Sequence, residues 1–205
     1  MTGVSLLVIA KDPRPGEVKT RLCPPCSPTQ AARLAEAALH DTLDVVARTP
    51  AARRVLVLDG DDCRWRRPGL EIVAQRGADL SERLGHAFMD VAGPALLVGM
   101  DTPQLTTELL TEGVHALTGF DAVLGPALDG GYWSVGLHRA HQDAFRGIPM
   151  STDWTLDHQR RRFRSLGLAT YEQPALRDVD TIADAHAVAA EALGSRFARA
   201  LAEIT

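Results

Sequence analysis

The sequence predicts a single α/β domain over residues 1–205, with a largely parallel sheet. Short apolar runs alternate along the chain with longer segments whose apolar residues recur at helical spacing, which is the βαβ rhythm. The first of these runs is rich in β-branched residues, as in a buried parallel strand. With 205 residues and 45% hydrophobic content, the chain can bury one sizeable core.

Charge and composition exclude several classes of function. A net charge of −4 argues against a general nucleic-acid binder, and no run of about eighteen apolar residues could span a membrane. The motif Cys23-Pro-Pro-Cys26 lacks the second pair of ligands that a structural zinc site needs, so both cysteines are expected to be small loop residues. The N-terminus shows no secretion signal. We expect a cytoplasmic monomer or homodimer without nucleic-acid or membrane partners.

The N-terminal half predicts three strands and two helices. A capping box, Ser27-Pro-Thr-Gln30, begins the first helix and Thr49-Pro50 ends it. Asp79, with Glu82, begins the second helix, which should carry Leu80, Leu84 and Phe88 inward. The strands are predicted at Val4–Ala10, Arg54–Asp59 and Glu71–Gln75.

The C-terminal half continues the alternation. Its predicted strands are Ala95 to about Gly99, Asp121–Pro126, an aromatic strand after Asp129-Gly-Gly131, and Ala169–Gln173. Its predicted helices are Thr106–Leu117, a helix over Trp154–Ser165 capped by Ser151-Thr-Asp153, one begun by a Thr181/Asp184 capping box, and a last one from Ser195.

Four cations follow the first strand in a loop rich in proline, and they are candidate residues for binding phosphate groups. Lys19 and Arg21 are two residues apart, so in an extended backbone they would face the same side and clamp phosphate oxygens. A solvated loop is the alternative. The chain has neither a P-loop nor Gly-x-Gly-x-x-Gly after this strand, which disfavours a P-loop kinase and a dinucleotide oxidoreductase. The four cations are Lys11, Arg14, Lys19 and Arg21.

Two carboxylates are predicted to share one metal ion. Asp101 ends the central strand, at the sheet edge where open α/β folds bind ligands, and Asp180 ends a later extended segment. Mg²⁺ is typically held by one or two carboxylates together with substrate phosphates, so Mg²⁺ or Mn²⁺ is the expected cofactor. Both residues could instead only cap or end their elements. Asp178 is expected to be structural, with its side chain on the opposite strand face.

Further candidates lie on either side of these carboxylates. Gln75 and Arg83 could contact a nucleotide, although helix-surface roles are as plausible. An acceptor would meet the opposite wall, where glycines allow close backbone approach and a helix start presents N–H donors to an anion. The alternative is that these residues only form a turn, a core aromatic and a helix cap. The acceptor-binding candidates are Asp129, Gly130, Gly131, Tyr132, Ser151 and Thr152.

Six motifs together resemble a small bacterial family of transferases with the glycosyltransferase-A, or nucleotide-diphospho-sugar transferase, fold. The resemblance implies a three-layer α/β/α sandwich with a mixed, mostly parallel sheet, a nucleotide over the N-terminal half and an acceptor over the C-terminal half. The Lys19-Thr-Arg-Leu22 loop is also similar to that of the phospholactate and molybdenum-cofactor guanylyltransferases. The motifs are Ala10-Lys-x-Pro, Val18-Lys-Thr-Arg-Leu22, Gly99-Met-Asp-Thr-Pro103, Gly125-Pro-x-x-Asp-Gly-Gly-Tyr132, Ser151-Thr152 and Asp178-Val-Asp-Thr181.

Two departures from the superfamily's motifs bear on whether the chain transfers a nucleotidyl or a glycosyl group. Only Gly16 stands where many nucleotidyltransferases have a glycine-rich loop, and Pro103 replaces the second carboxylate of the Asp-x-Asp found in many glycosyltransferases. The second departure, together with the cationic loop and the distant Asp180, favours nucleotidyl transfer to a small anionic, phosphorylated acceptor, with Lys19, Arg21 and Asp101 as catalytic residues. Glycosyl transfer from a sugar nucleotide is the alternative, and a non-catalytic nucleotide-binding regulator is the second alternative.

Overall fold

The computed structural model of the protein describes residues 3–204; residues 1, 2 and 205 of the predicted domain lie outside that range. Its strands and helices follow the predicted order, with most bounds within two residues. The strands are β1 Ser5–Lys11, β2 Arg54–Asp59, β3 Glu71–Ala74, β4 Ala95–Val98, β5 Ala122–Pro126, β6 Tyr132–Leu137 and β7 Thr170–Glu172. The helices are α1 Pro28–Arg48, α2 Leu80–Val91, α3 Thr107–Ala116, α4 Thr155–Ser165, α5 Ile182–Glu191 and α6 Arg196–Ala202.

The seven strands form one mixed sheet in the order β3-β2-β1-β4-β6-β5-β7. Strand β6 is antiparallel to both of its neighbours, β4 and β5, while the other neighbouring pairs are parallel. The predicted mixed, mostly parallel sheet is therefore correct. Because β6 runs backwards, it begins at the edge where the other strands end.

Helices cover both faces of the sheet, because successive side chains of a strand point to opposite sides. On β1, Leu6 and Val8 pack in a core with residues of α1 and α3, whereas Leu7 packs in a second core with residues of α2 and α4. A third buried cluster joins α1 to α5 and α6. The layers are thus helix, sheet and helix, as expected.

The predicted capping boxes of α1 and α5 are both present. In α1, the Oγ of Ser27 accepts from the backbone N–H of Gln30 at 3.3 Å, and the Gln30 side chain accepts from the Ser27 N–H at 2.8 Å. Thr181 and Asp184 form the same pair of bonds at α5. These local signals fix the beginnings of the helices that follow the Lys11–Leu22 segment and the Asp178–Asp180 segment.

Two predictions about local backbone structure, the cap of α4 and an extended Lys19–Leu22 segment, are wrong. Helix α4 begins at Thr155 with Trp154 as an N-cap that makes no side-chain bond, so Ser151 caps nothing. Residues Thr20–Leu22 form a short 3-10 helix rather than extended backbone, and Lys19 has φ 48°, in the left-handed region. No helix formed by residues 3–204 has both the length and the apolar composition needed to cross a membrane.

Candidate active site

A cleft of about 600 Å³ opens along the edge where β1 and β4 end and β6 begins. This is the edge at which ligands bind in open α/β sheets. It brings together most of the predicted residues from both halves of the chain. The predicted residues that line it are Lys11, Arg21, Gln75, Arg83, Asp101, Asp129, Gly131, Tyr132, Ser151, Thr152 and Asp180.

The two predicted metal-binding carboxylates lie on either side of one lysine. Lys19 Nζ is 2.9 Å from Oδ1 of Asp101 and 3.8 Å from Oδ1 of Asp180. Arg21 Nη1 donates to the other oxygen of Asp180 at 3.1 Å. Asp101 and Asp180 therefore do converge, although Lys19 and Arg21 reach them from a 3-10 turn and not from an extended strand.

Asp178 also faces this cleft, so the expectation that its side chain lies on the opposite face is wrong. Its Oδ1 is buried and accepts no hydrogen bond within the described part of the chain. Burial, followed by the nearby charges of Asp101 and Asp129, raises the pKa of Asp178 to about 8. Sequence reasoning missed this residue because it misapplied strand alternation, under which residues two positions apart, such as Asp178 and Asp180, face the same side.

The segment of residues 177–180, which carries Asp178 and Asp180, is hydrogen-bonded to the loop after β4. The N–H of Val179 donates to the carbonyl of Asp101 at 3.0 Å, and Gln104 Nε2 donates to the carbonyl of Arg177 at 2.7 Å. Nearby, the Oγ1 of Thr102 is buried without a partner in the described residues. The backbone thus fixes Asp101 and Asp180 relative to each other over a separation of 79 positions in the sequence.

The carboxylates suit a hard divalent cation. Such ions prefer oxygen ligands, and three carboxylates here face one cleft, including the orphaned buried oxygen of Asp178. They are not gathered into a tight set: within residues 3–204, three ligand atoms within 4.8 Å of one another occur at Asp61, Asp62 and Cys63 alone. Those three lie in the loop after β2, outside the cleft lining.

At the end of the cleft where a nucleotide is predicted to bind, Arg83 is held from three sides. Its guanidinium donates to Oδ2 of Asp59 at 2.9 Å, to Oε1 of Gln75 at 3.0 Å and to the carbonyl of Gly77 at 3.3 Å. The Gln75 amide nitrogen donates to the carbonyl of Ala10 at 2.7 Å. Gln75 therefore positions Arg83 and the end of β1, and Arg83 is the better placed of the two to contact a ligand.

Two residues predicted for this half of the protein are placed differently in the structure. Arg14 is outside the cleft lining and pairs with Asp12, 3.2 Å away, whose other oxygen accepts from the indole N–H of the fully buried Trp65 at 3.1 Å. Leu80 is 40% exposed rather than buried, because it opens onto the cleft. Leu80 gives this end of the cleft an apolar surface.

The predicted acceptor wall is built by a turn packed against a loop. The N–H of Gly131 donates to Oδ1 of Asp129 at 2.8 Å, which closes the turn before β6. Gly130 does not line the cleft; with φ +88°, it lies so close to Asp153 that an added Cβ would be 2.1 Å from that residue's carbonyl oxygen. Tyr132 lines the cleft, but its hydroxyl is turned toward Gln159, at 3.5 Å, and burial raises its pKa.

Ser151 and Thr152 meet the cleft from a loop rather than from a helix start. Ser151 is exposed with φ 58°, and the Oγ1 of Thr152 accepts from the Trp154 N–H at 3.3 Å. Thr152 also donates its own N–H to the Thr155 hydroxyl at 3.1 Å. The loop is therefore ordered by Thr152 and Thr155, and both Ser151 and Thr152 are exposed.

Comparisons with known proteins agree with the fold. Residues 42–152 match the family described as "uncharacterized protein conserved in bacteria (DUF2064)". No curated protein matches the chain. A solved structure from Desulfovibrio desulfuricans G20, provisionally assigned as a nucleotide-diphospho-sugar transferase, is 30% identical, with a TM-score of 0.88 over 99% of this chain and 95% of its own. The predicted nucleotide-diphospho-sugar transferase fold and the transferase class of enzyme are confirmed by this likeness.

Two more distant structures share the fold alone. Rv0371c from Mycobacterium tuberculosis H37Rv, solved with manganese, is 17% identical, with a TM-score of 0.56 over 91% of this chain and 98% of its own. A CMP:2-keto-3-deoxy-manno-octonic acid synthetase complexed with CTP is 12% identical, with a TM-score of 0.58 over 91% of this chain and 96% of its own. The fold is therefore shared with a protein that was solved in complex with CTP.

Proposed function

The chain belongs to the bacterial DUF2064 family, and we propose that it is a divalent-metal-dependent nucleotidyltransferase that acts on a small anionic acceptor. The observation that carries the proposal is the pairing of Asp101 and Asp180 with two cations at the edge of an open cleft. Carboxylates that face cations there can hold a metal ion while the cations bind phosphate oxygens. Solved relatives that carry manganese, CTP or a nucleotide-sugar transferase assignment support this reading.

The donor nucleotide would lie over the ends of β1, β2 and β3. Its base would meet the apolar surface of Leu80 beside the fixed guanidinium of Arg83, and its phosphates would extend toward Lys11, Lys19 and Arg21. A metal bound by Asp101 and Asp180, with Asp178 as a third oxygen donor, would neutralise phosphate charge. Arg14 has no part in this arrangement, because it is engaged with Asp12 outside the cleft.

The acceptor would approach from the opposite wall. There, the turn of Asp129–Gly131 and the Ser151–Thr152 loop would orient an anionic group. An acceptor oxygen would attack the α-phosphorus, the bond from that phosphorus to the bridging oxygen of the β-phosphate would break, and pyrophosphate would leave with the bonding electrons. Lys19 and Arg21 would stabilise the charge that builds on the phosphoryl oxygens, which is the effect that raises turnover.

Glycosyl transfer from a sugar nucleotide is the second candidate. The 30% identical relative favours it, because its provisional assignment is to nucleotide-diphospho-sugar transfer. Pro103, at the third position of what would be Asp-x-Asp, argues the other way. A nucleotide-binding regulator without turnover is the remaining alternative.

The test combines a ligand screen with two substitutions. We expect a nucleoside triphosphate to raise the unfolding temperature only with Mg²⁺ or Mn²⁺, because a ligand that binds the folded state stabilises it. GTP and CTP are the first to try, GTP because of the loop's resemblance to guanylyltransferases. Asp101→Asn and Asp180→Asn should each abolish this metal-dependent shift while the unliganded protein stays folded. Asp157→Asn, at an exposed ion pair of α4, is the matched control.

The products then identify the reaction. Pyrophosphate released with a phosphorylated acceptor supports nucleotidyl transfer, and nucleoside diphosphate released from a sugar nucleotide supports glycosyl transfer. Tight binding without either product would make the protein a regulator. If Asp101→Asn and Asp180→Asn both keep the full metal-dependent shift, the metal site is wrong.

A further inference from the structure

The cation position of the candidate site is filled by a side chain. The ammonium of Lys19 is 2.9 Å from Asp101 and 3.8 Å from Asp180, and it donates to the carbonyl of Val179 at 2.5 Å. Its side chain is only 10% exposed, although lysine is usually among the most exposed residues. A single positive charge thus lies among the oxygens that would bind a metal ion.

The composition of the chain makes this lysine unusual. The protein has two lysines, Lys11 and Lys19, among 22 basic residues, and both lie on the loop that enters the cleft or at its start. An ammonium is a compact point charge on a flexible stem, whereas a guanidinium is a planar fork that fixes its partners. A lysine, more readily than an arginine, can therefore pair with two carboxylates and then swing its side chain away from them.

The acidic residues around Lys19 are arranged as if for a charge larger than one. Asp178 faces the same cleft with a buried oxygen that has no hydrogen-bond partner among residues 3–204. Asp101 and Asp180 share Lys19, Asp178 faces the same cleft, and Arg21, whose side chain is 72% exposed, adds a second positive charge beside Asp180. A divalent cation would satisfy oxygens that Lys19 leaves unsatisfied.

We propose that Lys19 is an exchangeable occupant of the metal site: a divalent cation displaces its ammonium from Asp101 and Asp180, and the released side chain then binds the donor phosphates. This rests on the metal site of the proposed function and adds a defined order, in which the cation frees the lysine that the nucleotide needs. Two like charges cannot share the same oxygens at close range, so metal and ammonium exclude each other there. The coupling is reciprocal, since whatever removes Lys19 from the carboxylates favours the metal.

The first experiment follows the lysine directly in the unmodified protein. Acetylation by a limiting acyl reagent, read by mass spectrometry, has few competing amines because Lys11 and Lys19 are the only lysines. Without metal, the buried, ion-paired Lys19 should react much more slowly than the exposed Lys11. Mn²⁺ should raise the rate at Lys19 and leave Lys11 unchanged, and a nucleoside triphosphate added with Mn²⁺ should lower it again. A rate at Lys19 that does not respond to bound Mn²⁺ overturns the inference.

The second experiment measures Mn²⁺ affinity by electron paramagnetic resonance, with no nucleotide present. Lys19→Met should bind Mn²⁺ roughly 5- to 150-fold more tightly than the unmodified protein, the range typical of coupled sites. Lys11→Met, which removes an equal charge from the same cleft, should change the affinity much less. In the presence of saturating Mn²⁺, Lys19→Met should bind the nucleoside triphosphate more weakly, and this reversal of sign separates exchange from a merely structural role.

The outcomes distinguish this inference from the proposed function. Mn²⁺ bound at a site that Asp101→Asn abolishes, with an affinity that Lys19→Met leaves unchanged or weakens, overturns the exchange but keeps the metal site. No Mn²⁺ binding by either the unmodified protein or Lys19→Met overturns both. Because the acetylation experiment needs no variant, a folding defect in Lys19→Met does not protect the inference from refutation.

Discussion

Gly130→Ala tests whether the acceptor wall depends on the close approach of two backbones. Gly130 has φ +88°, and an added Cβ would lie 2.1 Å from the carbonyl oxygen of Asp153. The left-handed conformation alone costs a non-glycine residue about 1–2 kcal/mol. The clash is with backbone that no rotamer change can move, and overpacking of this kind adds about 1–3 kcal/mol. We therefore expect Gly130→Ala to lower the free energy of unfolding by roughly 2–5 kcal/mol.

Gly147→Ala is the matched control. Gly147 has φ +67° but nothing within 4 Å of its would-be Cβ, so this variant carries the backbone strain without the clash. Urea unfolding of both variants should show Gly130→Ala to be the less stable by about the overpacking cost. In functional assays, Gly130→Ala should raise the acceptor concentration needed for half-maximal turnover, because the displaced loop carries Ser151 and Thr152, while donor affinity stays near normal. Equal stability of the two variants, or an equal loss of donor affinity, would refute the two-walled layout.

Two further predictions concern the donor half. Arg21→Gln should slow turnover more than it weakens nucleotide binding. The activation barrier should rise by about 2.7–4 kcal/mol, the cost of removing one oxyanion-hole donor. Weaker binding with unchanged turnover would make Arg21 a simple binding cation. Trp65→Phe should cost about 1–3 kcal/mol of unfolding free energy, because the buried carboxylate of Asp12 loses its indole donor. A denaturation midpoint unchanged from the unmodified protein would show that Arg14 and Arg64 satisfy Asp12 without the indole.

Local sequence signals predicted the framework well because each one has a local physical cause. Strand β2 was predicted at its observed bounds. Its four apolar residues are all buried, and the charged residues Arg54 and Asp59 mark where the buried run begins and ends. The boxes at Ser27 and Thr181 work through bonds within one helical turn, so no tertiary information is needed to find them. The approach of Asp101 to Asp180 was predicted from the shared edge of a parallel sheet.

Predictions failed where distant contacts override local preference. The Lys19–Leu22 segment was expected to be extended, but the cleft carboxylates and Val179 hold Lys19 in a left-handed turn. Asp178 was a failure of another kind, because residues two apart in an extended segment face the same side and its spacing from Asp180 already implied a shared face. Ser151 was expected to cap α4 because serine is a good N-cap in general, yet Thr152 and Thr155 order that loop. None of these contacts leaves a short-range signal in the sequence.

Because β6 runs antiparallel to its neighbours, the two sides of the cleft are formed by different kinds of connection. Loops that leave β1, β3 and β4 build the proposed donor side, whereas the turn that enters β6 and the long connection from β6 to α4 build the proposed acceptor side. Changes of length or sequence in that connection would alter acceptor choice without shifting the strand ends that carry Lys11 and Asp101. Relatives with this sheet could thus diversify in what they modify while retaining the same activated donor, and grafting the 127–154 segment between them would transfer acceptor preference as a unit.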